Sequence, residues 1–285
     1  MRTVESVGSP LWVIGKPIKH SLSPLIHNAA LREARLPHRY FSLEVGEEEL
    51  EEFLTIFKTI KCPGANLTLP LKQKILELVP REKQTETVRS LGAANTLYWS
   101  GSSPALENTD VYGFKKLAEN WKELIEEFPV LVLGAGGAAR ACILALSELD
   151  CSEIFLWNRT TERAEQLKDE FSGIPVTVLY SEDFEKEAPE ARLVVNATSL
   201  GLKNGDRSPY PRRMVRPEMV GVDLIYNRTT EFMLNFDKAG QAAAGGLKML
   251  VFQAARAWKL WFDKEPDLEI MFETARDYLL KHQNR

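Results

Sequence analysis

Apolar positions along this chain recur with two periods, and the places where the period changes mark its elements. Over the first hundred residues, the β-type runs 11–15, 40–45, 65–69 and 95–99 predict strands separated by helical stretches. In 47–60 the apolar residues Leu50, Phe53, Leu54 and Phe57 fall at i, i+3, i+4 and i+7, so they share one helix face. The acids at the start of that stretch sit where the helix dipole favours them and read as a solvated face. From Pro129 the alternation is stricter. Runs 130–133, 154–157, 176–179, 193–196 and 220–225 are separated by helix-length segments, as in a parallel sheet with right-handed crossovers. After Gly245-Gly246 helical spacing returns through 247–262 and 268–282, with Pro266 as a break. The pattern predicts an α/β fold in two domains.

Composition narrows the function classes. The chain has 285 residues, enough for one or two domains, and 44% of them are hydrophobic, so a sizeable core can be buried. Its 36 basic and 40 acidic side chains give a formal charge of -4, which repels a phosphate backbone and disfavours a nucleic-acid or membrane-surface role. Residues 1–10 carry no apolar run of signal-peptide length, and the glycine-containing apolar stretch 129–139 stops at Arg140, far short of the roughly 20 residues that span a bilayer. The expected compartment is the cytosol. Cys62, Cys142 and Cys151 are odd in number and lack metal-ligand spacing, so they are expected to be reduced and packed, with no metal site.

The run 130–133 enters Gly134-Ala-Gly136-Gly137-Ala138-Ala139, a strand followed by the G-x-G-x-x-G/A pattern at the mouth of a helix. The first glycine permits the tight turn, the second lets the backbone approach a pyrophosphate, and the small third position lets helix and strand pack closely. Free backbone N–H groups at the helix start would bind the phosphates. A glycine-rich turn that only packs a helix on a strand is the plainer alternative. The next strand run ends in Asn158-Arg159-Thr160, with no acidic residue for a ribose 2′-hydroxyl. Arg159, with Arg163 behind it, offers planar cations for a 2′-phosphate, which favours NADP over NAD. Surface arginines capping a strand end are the competing reading.

Further segments place small polar groups at strand ends, where parallel sheets present their ligands. They are 15–28 (GKPIKHSLSPLIHN), 66–72 (NLTLPLK), 92–96 (GAANT), 108–110 (NTD) and 246–253 (GLKMLVFQ), the last with Met249 and Gln253 four apart on one helix face. Together with GAGGAAR at 134–140, NRT at 158–160 and NATSLG at 196–201, these blocks in this order resemble the shikimate dehydrogenase family over almost the whole chain. The resemblance implies a CH–OH oxidoreductase that interconverts 3-dehydroshikimate and shikimate with NADP, on the route to chorismate and the aromatic amino acids. It implies a substrate domain of residues 1–110 plus 246–285, a Rossmann-type NADP domain of 111–245, and a cleft between them. No partner protein is implied, and the chain is expected to be a monomer or homodimer.

Carried over by motif, Ser21 and Ser23 would hold the substrate carboxylate, Asn66, Thr68, Asn95 and Gln253 would bond the ring hydroxyls, and Lys72 and Asp110 would be the catalytic pair. Hydride arriving at a carbonyl carbon leaves charge on oxygen, which an ammonium can stabilise and neutralise while a carboxylate orients it. Thr198 would line the nicotinamide pocket, Tyr226, closing the last strand, would lie beside the substrate, and Gly246 and Met249 join the cofactor set. Plainer roles compete. Lys72 could be a solvated helix lysine, Asp110 an Asx turn or cap for a helix after Gly113, and Ser21 and Ser23 caps of a helix starting near Pro24. His20 and His27 read as structural hydrogen-bonding residues. The chain departs from the family pattern at Val111, where glycine is frequent, at Arg228, where Y-N-P is usual, and at Leu67 for valine. A quinate/shikimate dehydrogenase tolerant of NAD, an aminoshikimate-type relative and a non-catalytic dinucleotide-binding paralogue remain competing readings.

Overall fold

The computed structural model describes residues 8–18, 21–180 and 184–282, so His20 lies outside the described residues. The chain divides into two compact units, one from Met1–Tyr112 and Val251–Lys281, the other from Gly113–Leu250. It passes from the first to the second within the helix Thr109–Ala118 and back within Leu247–Phe262.

In the first unit the strands are β1 (Pro10–Gly15), β2 (Arg39–Glu44), β3 (Ala65–Leu67), β4 (Thr96–Ser100) and β5 (Ser103–Glu107), ordered β2-β1-β3-β4-β5. β1 runs parallel to both its neighbours, whereas β4 is antiparallel to β3 and β5. The helix Leu50–Thr59 turns its predicted apolar face, Leu50, Phe53, Leu54 and Phe57, into a core shared with Ile14, Leu67, Leu97 and Leu106. Composition did not announce β5. Its Pro104 and Glu107 are poor strand formers, but β5 is an edge strand, where a missing N–H is tolerated, and the turn at Gly101 folds it back on β4.

The second unit carries β6 (Val130–Leu133), β7 (Ile154–Trp157), β8 (Val176–Val178), β9 (Leu193–Asn196), β10 (Val220–Asp223) and β11 (Ala242–Gly245), all parallel, in the order β11-β10-β9-β6-β7-β8. β6 and β9 are buried at every position, which is why they read as unbroken apolar runs. From β6 the chain builds outward through β7 and β8, then returns to build outward on the other side from β9. That reversal makes β6/β9 a topological switch point, the place where parallel sheets of this kind bind ligands. β11 is almost all alanine and carried no strand signal; its pairing with β10 supplies what propensity does not. β10 ends at Asp223, so Tyr226 lies in the following turn, and it is β11, not Tyr226, that closes the strand series.

The described cysteines Cys62, Cys142 and Cys151 are buried, and none of them forms a disulfide. Among the described residues no helix is long and apolar enough to cross a membrane, and no group of His, Cys, Asp and Glu could hold a metal ion.

His27 corrects an expectation. It lies in the helix Ser23–Glu33, wholly buried, and neither ring nitrogen has a hydrogen-bond partner among the described residues. Its ring stacks on Tyr40 at 4.4 Å and packs near Trp261 at 5.2 Å, so it acts as an aromatic filler. Burial lowers its pKa from 6.5 to about 3. The folded protein therefore keeps His27 neutral where the unfolded chain takes up a proton. Stability present above pH 6.5 drains away as pH falls towards 3, at up to about 1.4 kcal/mol per pH unit. Denaturant titrations of the wild type and of His27→Phe between neutral pH and about pH 4 check this. The variant should lose less stability over that interval; equal losses would assign the slope to other groups.

Candidate active site

Lys72 and Asp110 come from different elements and meet. Lys72 sits in the single-turn helix Leu71–Lys74 after β3, held by Leu71 N–H donating to Thr68 O at 2.9 Å and by its own carbonyl accepting from Ala94 N–H at 2.8 Å. Asp110 lies in the first turn of Thr109–Ala118, which starts four residues before Gly113 and not after it. The side chain that turns the chain into this helix is Asn108, whose Oδ1 accepts from Asp110 N–H at 3.1 Å. Asp110 is thus released from local capping, and Lys72 Nζ donates to its Oδ2 at 2.6 Å, with the two side chains 25% and 21% exposed. The pair is partly sheltered yet open to a ligand.

Beside it stands a wall of buried amides and hydroxyls. Asn66 Oδ1 accepts from Tyr40 OH at 2.7 Å, and its Nδ2 donates to Asn95 O at 3.2 Å and Thr96 Oγ1 at 3.0 Å. Both Asn66 protons are thereby used, and its oxygen keeps one lone pair. Asn95 Oδ1 collects Thr96 Oγ1 at 2.9 Å, Thr109 N–H at 2.8 Å and Thr109 Oγ1 at 3.1 Å. Its amide nitrogen has no partner among the described residues and can only donate. Thr109 Oγ1 also bonds Gln253 Oε1 at 3.2 Å, which draws the helix Leu247–Phe262 into the same cluster. Burial pushes the Tyr40 phenol well above its ordinary value, with Cys62 adding and a hydrogen bond to Ser23 opposing.

Thr68 follows β3 and is bound to β1 through Thr68 N–H donating to Ile14 O at 2.9 Å. Gly15, at φ +154°, leaves room for the Thr68 methyl, which a Cβ there would meet at 2.4 Å. Gly15 and Lys16 are thus seated against the Thr68 loop, with Lys16 N–H donating to Leu69 O at 2.9 Å. Neither serine is the N-cap, which is Leu22: Ser23 is the first helical residue, and Ser21 Oγ accepts from its N–H at 3.3 Å.

In the second unit, Gly134 has φ +106°, and a Cβ on it would stand 3.0 Å from Ala197 O and 3.2 Å from the Thr198 methyl, so the loops after β6 and β9 touch at the switch point. Gly136 caps the helix Gly137–Ser147; Gly136, Gly137 and Ala138 are exposed with open space where a Cβ would be on either glycine, while Ala139 is wholly buried. First-turn N–H groups facing open space, with no side chain in the way, fit a pyrophosphate. Past β7, Asn158 Nδ2 donates to Thr160 O at 2.7 Å, and Arg163 lies in the first turn of Thr161–Glu170. Arg159 and Arg163 are both exposed, and no ion pair occupies either among the described residues. This donor set, with no carboxylate at the β7 end, fits a 2′-phosphate. Thr198 N–H and Oγ1 both donate to Asn196 Oδ1, at 3.1 and 2.7 Å. Tyr226 is half-buried, and burial raises its pKa. A Cβ on Gly246 would lie 2.2 Å from Leu224 O, so only glycine fits where β11 turns into its helix, and Met249 lies half-buried one turn on. Arg228 bonds the Asn204 side chain within the same unit.

Sequence reasoning missed Tyr40, Thr96, Thr109, Asn196 and Asp223 as organising residues. Thr96, Thr109 and Asn196 lay inside the quoted blocks without an organising role. The signal for Asp223 was an acid closing an apolar strand run, and Tyr40 gave none.

Three family models match the chain: the shikimate dehydrogenase substrate binding domain over residues 13–97, shikimate / quinate 5-dehydrogenase over 116–231, and the shikimate 5'-dehydrogenase C-terminal domain over 246–276. The shikimate dehydrogenase (NADP(+)) of Aquifex aeolicus is 36% identical over 265 residues, covering 93% of this chain and 95% of that protein. The enzyme of the same name from Caldicellulosiruptor saccharolyticus is 39% identical over 263 residues, 89% of this chain and 92% of that protein. Among solved structures, shikimate 5-dehydrogenase from Thermus thermophilus in complex with NADP(H) and shikimate matches with a TM-score of 0.83 at 35% identity, covering 94% of this chain and 99% of that one. The polar blocks, the switch-point glycine loop and these full-length likenesses agree, and the chain belongs to the shikimate dehydrogenase family.

Proposed function

We propose that this chain interconverts 3-dehydroshikimate and shikimate with NADP as the hydride carrier, in the supply of chorismate and aromatic amino acids. The observation that carries the reading is the Lys72–Asp110 hydrogen bond of 2.6 Å, half-sheltered beside a wall of buried amides. The unit with β1–β5 supplies the substrate and proton-transfer groups, and the unit with β6–β11 supplies the dinucleotide groups.

NADPH, when bound, supplies the hydride. Lys72 presents its ammonium to the carbonyl oxygen, stabilises the charge that develops there and donates the proton that completes the alcohol. In the reverse direction its neutral amine accepts that proton. Asp110 holds Nζ on one line, so the lysine is already aimed when substrate arrives. Its partial exposure lets solvent restore the proton. Asn95, through its unspent amide protons, donates to a ring hydroxyl, and Thr68, Asn66 and Gln253 complete the hydroxyl contacts. Ser21 and Ser23 hold the carboxylate. Thr198 would line the nicotinamide pocket, Tyr226 would lie beside the substrate, and Gly246 and Met249 would belong to the cofactor set. Gly134, Gly136, Gly137, Ala138 and Ala139 cradle the pyrophosphate, and Asn158, Arg159, Thr160 and Arg163 hold the adenosine 2′-phosphate. Three buried thiols, with Cys62 pushed up to about 12 and Cys151 to about 11, suit a reducing cytosol, and a monomer or homodimer meets every requirement of this site.

Purified protein assayed by NADPH absorbance should turn over shikimate with NADP. Lys72→Ala should lower kcat by roughly 10² to 10⁴ with its fold intact, the range for removing a positioned acid. Turnover unaffected by that substitution would remove Lys72 from the mechanism, and quinate with NAD as the better pair would replace the substrate assignment.

Arg159→Ala tests the cofactor. Losing a charge-assisted contact of about 1.5–3 kcal/mol should raise the KM for NADP by roughly 10- to 100-fold, leaving KM for shikimate unchanged and narrowing the preference over NAD. An unchanged KM for NADP would show that the 2′-phosphate is held elsewhere.

A further inference from the structure

Asp223 is a carboxylate with no place in the chemistry above. It ends β10 fully buried, and its partners there are neutral. Oδ1 accepts from Asn196 Nδ2 at 3.0 Å and Ile225 N–H at 3.1 Å, and the Thr230 hydroxyl donates to Oδ2. Burial raises its pKa, and these three hydrogen bonds oppose the shift.

The partners lead to two loops. Asn196, also fully buried, ends β9, the strand beside β10. With Nδ2 turned to Asp223 and to Leu200 O at 3.2 Å, its Oδ1 must face the other way, where it takes both the N–H and the hydroxyl of Thr198. Thr198 Oγ1 in turn accepts from Leu200 N–H at 3.0 Å. On the other side, Thr230 sits beyond Tyr226 and caps the helix Glu231–Lys238 by accepting from Met233 N–H at 3.3 Å. The two loops also touch, since a Cβ on Gly201 would lie 2.8 Å from the Thr230 methyl.

A carboxylate suits this place because it only accepts. An amide can be turned either way round, whereas opposite a carboxylate Asn196 has one favourable orientation, and that orientation decides which way Thr198 points. We propose that Asp223 is a positioning residue for the nicotinamide end of the dinucleotide, fixing Thr198 through Asn196 and the Tyr226 turn through Ile225 and Thr230. The proposal rests on the reading that Thr198 lines the nicotinamide pocket and that Tyr226 lies beside the substrate. It assigns no contact between Asp223 and cofactor or substrate. Arg159 and the helix start at Gly136 and Gly137 lie outside this network, so dinucleotide affinity and nicotinamide order should come apart.

The test uses the full chain with Asp223→Asn, Thr230→Val and Thr230→Ser. Three quantities are read: NADPH affinity by competition with 2′,5′-ADP, emission of the bound reduced nicotinamide, and kcat. Asp223→Asn places a donor in a ring of donors, so it should bind NADPH within about threefold of wild type, lose at least about half the emission gain on binding, and lose about tenfold or more in kcat. Thr230→Val should follow it, and Thr230→Ser, which restores the hydroxyl and the cap, should return both signals. Wild-type emission and kcat within about threefold in Asp223→Asn would overturn the proposal. So would a loss of thermal stability and NADPH affinity with unchanged emission per bound ligand, which marks a merely structural role. If Asp223→Asn fails to fold, the Val/Ser pair at 230 decides by the same signals. A wild type that binds NADPH but leaves shikimate unchanged would sink the functional reading alone, because the emission comparison needs no substrate.

Discussion

A carboxamide or carboxylate taken out of water is costly unless each polar atom finds a partner. That requirement organises both units of this chain. Asn66 and Asn95 are 6% and 3% exposed, and Asn196 and Asp223 are wholly buried. Each sits at or next to the end of a strand, where the ladder of backbone hydrogen bonds gives out and side chains must take over. Satisfying these four groups fixes the loops that leave the strands, and those loops carry the candidate site residues. A ligand is then met by what satisfaction leaves over. The Asn95 amide nitrogen and a lone pair on Asn66 differ in kind, one a donor and one an acceptor, so a hydroxylated ring can be read by orientation as well as by size.

The Lys72–Asp110 pair follows the opposite logic. Its members are partly exposed, so their attraction is screened and contributes little to stability. What the pair gains is direction. Asp110 lies in a first helical turn, where the dipole favours its charge, yet Asn108 takes over the capping that an aspartate there would otherwise perform. The carboxylate is left with the lysine as its task, and the lysine is held on a one-turn helix pinned at both ends by backbone bonds.

Much of this was legible in the residues because it depended on local rules. β6, β7 and β9 occupy the strand runs read from the pattern, and the face Leu50, Phe53, Leu54, Phe57 is buried as its spacing demands. The glycine loop was readable because Gly134, at φ +106° beside Ala197, meets a backbone need that a side chain would strain, while Gly136 leaves open space at the helix start. The family resemblance is borne out by full-length relatives. What escaped was decided by tertiary context. β11 is a strand only because β10 offers it a ladder, and β5 only because the turn at Gly101 delivers it to β4. Ser21 and Ser23 both suit a cap by type, yet the register puts the N-cap between them, on Leu22. His27 carried no mark that its nitrogens would go unused, since that follows from Tyr40 and Trp261 closing on its ring. Asp223 was invisible as an organiser because its partners Asn196 and Thr230 are brought to it by sheet order and the following turn.

Discrimination between NADP and NAD turns on which cations remain unspent near the dinucleotide loop. Arg140 stands next to the glycines in sequence and is the obvious cation by position. It is bidentate on Glu170, with Nη2 at 2.5 Å from Oε1, so its charge is already matched by the helix Thr161–Glu170. The chain as a whole is acidic, at -4, and supplies no general attraction for a third phosphate. The charge available to one therefore rests with Arg159 and Arg163, exposed and outside any ion pair among the described residues, at the end of β7 where a dinucleotide enzyme selective for NAD would place a carboxylate. An acid at that strand end would be neutralised by these arginines or would repel a 2′-phosphate; Asn158 does neither, because its Nδ2 is turned inward to Thr160 O. On the proposed assignment of Arg159 and Arg163, selectivity would come from cations added at the ribose end, with no repulsion of NAD built in, and the preference would be one of degree that scales with the charge at 159 and 163.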